Sequence, residues 1–259
     1  NISPTISVSY SQADRVVDAE TLEDVKEYDY GSESKYNLYY KEKATATITI
    51  DEENFYPDGI EVKVKNVRGN QEYKVSKSEL NWHQEDDTKK WIGVINIKED
   101  GEYVISMSGK DYSHNEIEEY TSPNIIINKQ KPTIKVEYDN KEVENEKYYK
   151  KSRTATITIN DRDFRADGVE AIVVADDVTG QKVSPSFIVK DKNGKDVVVS
   201  DYRTYLKNRD SWSGNETEHT ATVIFDKDAQ YHFSIAYTNL TGKEADTYSK
   251  EFVVDKTAP

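Results

Sequence analysis

The sequence predicts an all-β chain built as two tandem antiparallel β-sandwiches, and three observations carry that prediction. An alternating block, TATITI, occurs at Thr45–Ile50 and again at Thr154–Ile159. Apolar and polar residues alternate with period two along most of the chain, the pattern of half-buried strands rather than helices. The length, 259 residues, suits two domains of ordinary size, each able to bury its own core.

The segment downstream of the repeated block recurs as well. NFYPDGIE (Asn54–Glu61) is answered by DFRADGVE (Asp163–Glu170), at the spacing of 109 that also separates Tyr39 from Tyr148. Other landmarks stand 128 apart: PTISVSY at Pro4 and PTIKVEY at Pro132, then Tyr103 and Tyr231. The difference, 128 − 109 = 19, is the length of an insertion in the first copy, at about residues 12–36. The second copy regains that number between Glu170 and Asp228, with its insertion at about residues 180–212. NKQKP (Asn128–Pro132) resembles DKTAP (Asp255–Pro259), so the chain is expected to divide into residues 1–130 and 131–259. The closing TAP reads as the approach to a further copy. Repeats of this size are whole domains rather than solenoid units.

Taken in order, the strands show their faces. Ala46, Ile48 and Ile50 share one side of the repeated block, with Thr45, Thr47 and Thr49 on the other; Ile60, Val62 and Val64 mark the next strand. Trp91–Ile97 answers His219–Phe225, and Tyr103, Ile105 and Met107 answer Tyr231, Phe233 and Ile235. Each copy closes on a short apolar strand, Ile125–Ile127 or Phe252–Val254. One wet face per strand suits antiparallel sheets, and about seven short strands per copy suit a two-sheet sandwich. Asp100 and Asp228 each precede by three residues a strand-leading tyrosine, Tyr103 and Tyr231. That spacing matches the tyrosine corner of immunoglobulin-type sandwiches, with Ile105 and Phe233 where antibodies place cysteine. The predicted fold class is therefore all-β, two tandem immunoglobulin-like antiparallel β-sandwiches. Gly59 and Gly168 are expected in turns that require positive φ.

The ordered set of motifs resembles the bacterial Ig-like domains strung in arrays on surface proteins of Gram-positive bacteria, gut anaerobes in particular. It comprises TATITI, the NF/DF-x-x-D-G turn, Trp212 ahead of HTATVIF, the D-x-x-Y corner and the terminal DKTAP. The resemblance spans nearly all of both copies and is closer in the second. The first departs through its insertion and its Ser113–Asn115 turn. It implies secretion, display on the cell surface with cell-wall attachment, neighbouring Ig-like repeats in the same chain, and an adhesin or stalk role. It carries no catalytic residue over.

Composition excludes several functions. A net charge of −14 would repel a phosphate backbone or an anionic membrane, so no nucleic acid is expected as partner. No apolar run approaches the length of a membrane span, so no membrane insertion is expected, and NISPTISVSY reads as neither a signal nor a transit peptide. The absence of cysteine removes thiol catalysis, cysteine metal sites and disulfides. The four histidines, His83, His114, His219 and His232, belong to no nucleophile or zinc motif. The chain reads as no enzyme and as needing no cofactor. Asp161, Asp163 and Asp167 crowd one turn, which offers Ca²⁺ as an alternative to no metal at all. EF-hand spacing is absent, however, and Arg162 and Arg165 sit among the acids. Lys135 is the candidate for a Lys–Asn isopeptide bond, but alternation with Ile134 and Val136 turns it outward.

The insertions supply the candidate binding residues. The first carries Tyr28, Tyr30 and Tyr36; the second carries Tyr202, Arg203, Tyr205 and Arg209. Tyrosine and arginine anchor protein interfaces, because they bury much area at small entropic cost. Trp82 and Trp212 recur in both copies and are assigned to the cores. The expected partner is a host extracellular protein or glycan, such as an immunoglobulin or secreted glycoprotein. The alternative is a passive stalk or spacer, stiffened by the short linker Asn128–Pro132, that displays a distal adhesin or enzyme domain.

Overall fold

The computed structural model describes residues 4–28, 35–139, 147–177, 179–183, 187–190, 193–199 and 201–257. The candidate Tyr30 lies outside the described residues. The chain separates into two compact units, Asn1–Lys129 and Gln130–Pro259. Among the described residues no helix is long and apolar enough to cross a membrane.

The first unit contains β1 (Thr5–Tyr10), β2 (Arg15–Asp18), β3 (Tyr36–Tyr40), β4 (Ala44–Asp51), β5 (Ile60–Asn66), β6 (Gln71–Lys74), helix α1 (Lys77–Leu80), β7 (His83–Gln84), β8 (Lys90–Ile97), β9 (Gly101–Gly109), β10 (Tyr120–Thr121) and β11 (Asn124–Ile127). One sheet runs β1-β4-β8-β7 and the other β2-β3-β11-β9-β5-β6, with β10 also on β9. All neighbours are antiparallel except β3 and β11.

The second unit contains β12 (Thr133–Tyr138), β13 (Tyr148–Tyr149), β14 (Arg153–Asn160), β15 (Val169–Asp176), β16 (Phe187–Lys190), β17 (Asp196–Val199), helix α2 (Tyr202–Lys207), β18 (Ser213–Gly214), β19 (Glu218–Phe225), β20 (Ala229–Tyr237) and β21 (Tyr248–Val254). Its sheets run β12-β14-β19-β16-β17, with β18 also on β19, and β13-β21-β20-β15. Here the parallel pair is β13 with β21.

The period-two pattern decides which side of each strand is dry. Ala46, Ile48 and Ile50 of β4, and Ala155, Ile157 and Ile159 of β14, are buried between the sheets, with the intervening threonines half-buried on the outer faces. Each unit has its own cluster, centred on Ile48, Ile105 and Ile125 in the first and on Ile157, Phe233 and Phe252 in the second. The tyrosine corner is present in both. The Tyr103 hydroxyl donates to the Glu99 carbonyl at 3.1 Å, and Tyr231 donates to Lys227 at 2.8 Å, each four residues upstream. Ile105 and Phe233, the residues at the cysteine position, are fully buried.

Gly59 and Gly168 are shared by the copies for a different reason than positive φ, which neither adopts. A Cβ on Gly59 would overlap the Lys110 carbonyl, and one on Gly168 would overlap that of Thr238. The turn after the repeated block thus presses its backbone onto the turn after β9 or β20, where only glycine fits.

The copies differ in how they cover their sheet edges. In the first, β6 pairs along β5 from Lys63↔Lys74 to Asn66↔Gln71. In the second, the matching strand β15 has β20 as its one neighbour within the described sheet. Its outward Val173 N–H donates to the Tyr202 hydroxyl at 2.6 Å, its Ala175 carbonyl accepts from Val183 N–H at 2.9 Å, and α2 packs beside it. The rest of that insertion forms the β16–β17 hairpin on β19. The first unit's insertion contributes β2, which pairs antiparallel with β3 from Arg15↔Tyr39 to Asp18↔Tyr36.

Each corner tyrosine closes a turn within its own unit, so the effect of its removal should be local. We expect Tyr231→Phe to destabilise the second unit by about 1 kcal/mol, and Tyr103→Phe the first by a similar amount. Denaturant unfolding followed by tryptophan fluorescence separates the units, because Trp82 and Trp91 report the first and Trp212 the second. A variant that left its own unit's midpoint unmoved would remove the corner's energetic role.

Candidate functional site

The insertion residues with interface chemistry are largely engaged by their own unit. Tyr202 is a correction to the sequence reading: it is 7% exposed, its ring lies edge-on to Phe187 at 4.8 Å, and its hydroxyl accepts from Val173 N–H. Its placement comes from α2, where Asp201 caps the first turn by accepting from Arg203 N–H and Tyr202 and Leu206 share the buried face. Tyr205 is half-buried against the same core and donates its hydroxyl to the Lys190 carbonyl. In the first unit Tyr28 and Tyr36 are half-buried, pack against the core and meet edge-to-face at 5.1 Å.

The two arginines remain at the surface with partial internal partners. Arg203 Nε reaches the Tyr202 hydroxyl at 3.3 Å, while Arg209 donates to the Trp212 carbonyl at 3.1 Å and lies over the Phe164 ring. Trp212 is buried, donating Nε1–H to the Leu206 carbonyl, whereas Trp82 is half-buried at the rim of its core. Each indole meets a phenylalanine edge-on, Trp82 on Phe55 and Trp212 on Phe164.

The acidic turn of the second unit is a hydrogen-bonded cluster. The Asp161 carboxylate accepts from the Tyr237 hydroxyl at 2.6 Å and from Asn239 Nδ2 at 3.3 Å. The Asp167 carboxylate pairs with the Arg165 guanidinium. Asp161, Asp163 and Asp167 do not assemble into a metal-holding group; none of three or more His, Cys, Asp or Glu exists among the described residues. Burial pushes the Asp161 carboxyl above the usual carboxylate range, against its hydrogen bonds from Tyr237 and Asn239. Burial likewise raises Tyr237, helped by the adjoining carboxylate.

His219 completes the cluster. It is 3% exposed, stacked on Phe164 at 4.1 Å, with Nε2 at 3.0 Å from the Asp161 carbonyl. The matching residue of the first unit is Trp91, stacked in the same way on Phe55 at 4.8 Å. Loss of solvation lowers the His219 pKa below the ordinary imidazole value. Lys135 is exposed on β12 and paired with Glu137 at 3.0 Å. The second unit also carries an open cleft of about 500 Å³ bordered by Tyr148, Asp176, Asp177, Gln230 and Asp255.

Sequence reasoning passed over one further arrangement. Tyr56 and Tyr112 of the first unit face each other across two turns at 5.7 Å, and both rings are exposed. The signal was available, because the aligned residues of the second copy, Arg165 and Leu240, are not aromatic.

The buried cluster should show itself in two measurements. Asp161→Ala leaves the Tyr237 hydroxyl and Asn239 amide without their acceptor, and should cost the second unit about 2 kcal/mol in denaturant unfolding. His219 binds a proton more readily unfolded than folded, so its contribution is present above the ordinary imidazole pKa and is lost as pH falls toward its lowered folded value. The second unit's melting temperature should therefore fall more steeply between about pH 7 and pH 5 in the parent chain than in His219→Phe; equal slopes would discard this assignment.

No protein-family model matches the chain, and no curated protein matches it. Among solved structures, the fibronectin(III)-like modules of Clostridium thermocellum CbhA are 14% identical, over 84% of this chain and 88% of that one. The TM-score is 0.27, a superposition too loose to carry an argument.

Proposed function

We propose that the chain is a pair of non-catalytic spacer modules from an extracellular bacterial surface protein, holding other parts of that protein away from the cell wall. The observation that carries this reading is the inward commitment of the insertions. Tyr202 completes a sheet edge and a core, Tyr205 ties α2 to β16, and Tyr28 packs on Tyr36. A sandwich repeated in an array must shield its sheet edges against pairing with its neighbours, and covering strands and helices do that. The acidic surface adds solubility and repulsion between like modules.

The second reading, recognition of a host protein or glycan through the insertions, rests on Arg203 and Arg209, which are exposed. Arginines in such positions can anchor a partner, and neither is required to fill the core. The two readings separate in a capture experiment. Immobilised parent chain and the Arg203→Ala/Arg209→Ala variant should retain the same proteins from serum and mucosal secretions. A protein whose capture drops at least tenfold in the variant, with both melting transitions unchanged, would overturn the spacer reading in favour of insertion-mediated binding.

A further inference from the structure

We propose that Tyr56 and Tyr112 form a platform that binds a neutral pyranose sugar at the tip of the first unit. This goes beyond the spacer reading and does not depend on it. The tip is built from the turn between β4 and β5 and the turn after β9. The rings stand perpendicular, 5.7 Å apart, with Tyr112 73% exposed and Tyr56 37% exposed. So exposed a ring as Tyr112 contributes little to the fold through burial.

The platform is nevertheless held in place. Tyr112 N–H donates to the Asn54 carbonyl at 3.1 Å, Gly59 N–H to Tyr56 at 2.9 Å and Lys110 N–H to Gly59 at 3.0 Å. Asn115 donates twice to the Asp111 carboxylate, at 2.8 and 2.7 Å, which fixes the turn that carries Tyr112. Gly59 leaves room for the Tyr56 ring, which a Cβ there would meet. Rigid rings lose little freedom on binding, so their contact area converts into affinity more fully.

The second unit shows that this scaffold does not need the rings. Its turns make the same backbone contacts, Thr238 N–H to Gly168 at 3.0 Å and Leu240 N–H to Asp163 at 3.1 Å. Yet Arg165 and Leu240 stand at the ring positions, with Arg165 paired to Asp167. Backbone geometry is shared while the exposed chemistry differs, which points to the rings themselves as the feature with a purpose.

Charge and ring chemistry select the ligand. Among the ionisable groups flanking the rings, Asp58 pairs with Lys77 and Lys110 with Glu116 at 3.3 Å, while Asp111 is a carboxylate hydrogen-bonded to Asn115. The Asp111 carboxylate beside Tyr112 and a chain net charge of −14 both disfavour sulfated or sialylated ligands. Asn54, Ser113 and His114, in the same two turns, are exposed and offer an amide, a hydroxyl and an imidazole to sugar hydroxyls. The C–H groups on one face of a pyranose are positively polarised and complement the negative face of an aromatic ring.

The test uses the intact 259-residue chain with methyl glycosides of glucose, galactose, N-acetylglucosamine and N-acetylgalactosamine, read by saturation-transfer NMR, and a printed panel of neutral and acidic glycans. We expect transfer to the ring C–H protons of at least one glycoside. The signal should fall at least tenfold in Tyr112→Ala and in Tyr56→Leu, and persist in Tyr112→Phe, with the first unit's melting unchanged in all three. Absence of transfer from every glycoside and neutral glycan overturns the proposal. So does transfer that survives Tyr112→Ala, binding confined to acidic glycans, or Tyr112-dependent capture of a deglycosylated protein.

Discussion

Sheet edges set the terms for this chain. A strand at the border of a sheet turns a row of N–H and C=O groups outward, and those groups must find water, side chains or another strand. The two sandwiches answer with different parts at the same position. Strand β6 supplies a backbone ladder to β5, whereas β15 meets a tyrosine hydroxyl, the Val183 amide and a short helix. Once β15 is covered by side chain and helix, the extra chain is free to build the β16–β17 hairpin on the opposite sheet. The return of the repeat spacing from 109 to 128 between Glu170 and Asp228 is therefore the trace of the second unit's different solution to that boundary problem.

Much of the fold was legible because local chemistry and tertiary placement agree. The Thr/Ile alternation of TATITI can be dry on one face only, and the D-x-x-Y spacing brings a hydroxyl back to a carbonyl four residues upstream. The crossovers were less legible. Helix α1 is a single turn, below the length at which periodicity shows, although Ser76 and Glu79 form a capping box with a recognisable spacing. Gly59 and Gly168 were readable as special, but not why. Their constraint comes from a carbonyl about 50–70 residues away, and no φ preference along the local sequence encodes it.

The site was less legible still, for a physical reason. Tyrosine and arginine pack as readily in a sandwich as in an interface, so composition alone does not say which way a ring faces. Tyr202 lies in a segment with the look of a paratope and is buried because Asp201 starts a helix and Leu206 turns it inward. Asp161 and its neighbours suggested calcium because carboxylates close in sequence suggest convergence. Tyr237 and Asn239, 76 and 78 residues later, supply the donors that occupy Asp161 instead.

The duplication permits a sharper division than insertion against scaffold. Positions that match in both copies and are buried or half-buried explain the fold: the corner tyrosines, the phenylalanine against each tryptophan, the close-approach glycines. Buried positions that differ record compensation within one unit. Arg153 stands where the first unit has Ala44, its guanidinium 3.8 Å from the rings of both Tyr138 and Tyr149, with Nε and Nη1 lacking hydrogen bonds. Aromatic faces offset part of the cost of burying that charge, which alanine never incurs. Exposed positions that differ on an unchanged backbone are a third kind, because the second unit makes the same turns without them. Tyr56 and Tyr112 belong to this kind, and the insertion tyrosines do not. Recognition chemistry is thus best sought where the two copies share geometry and differ in surface, rather than where one copy is merely longer.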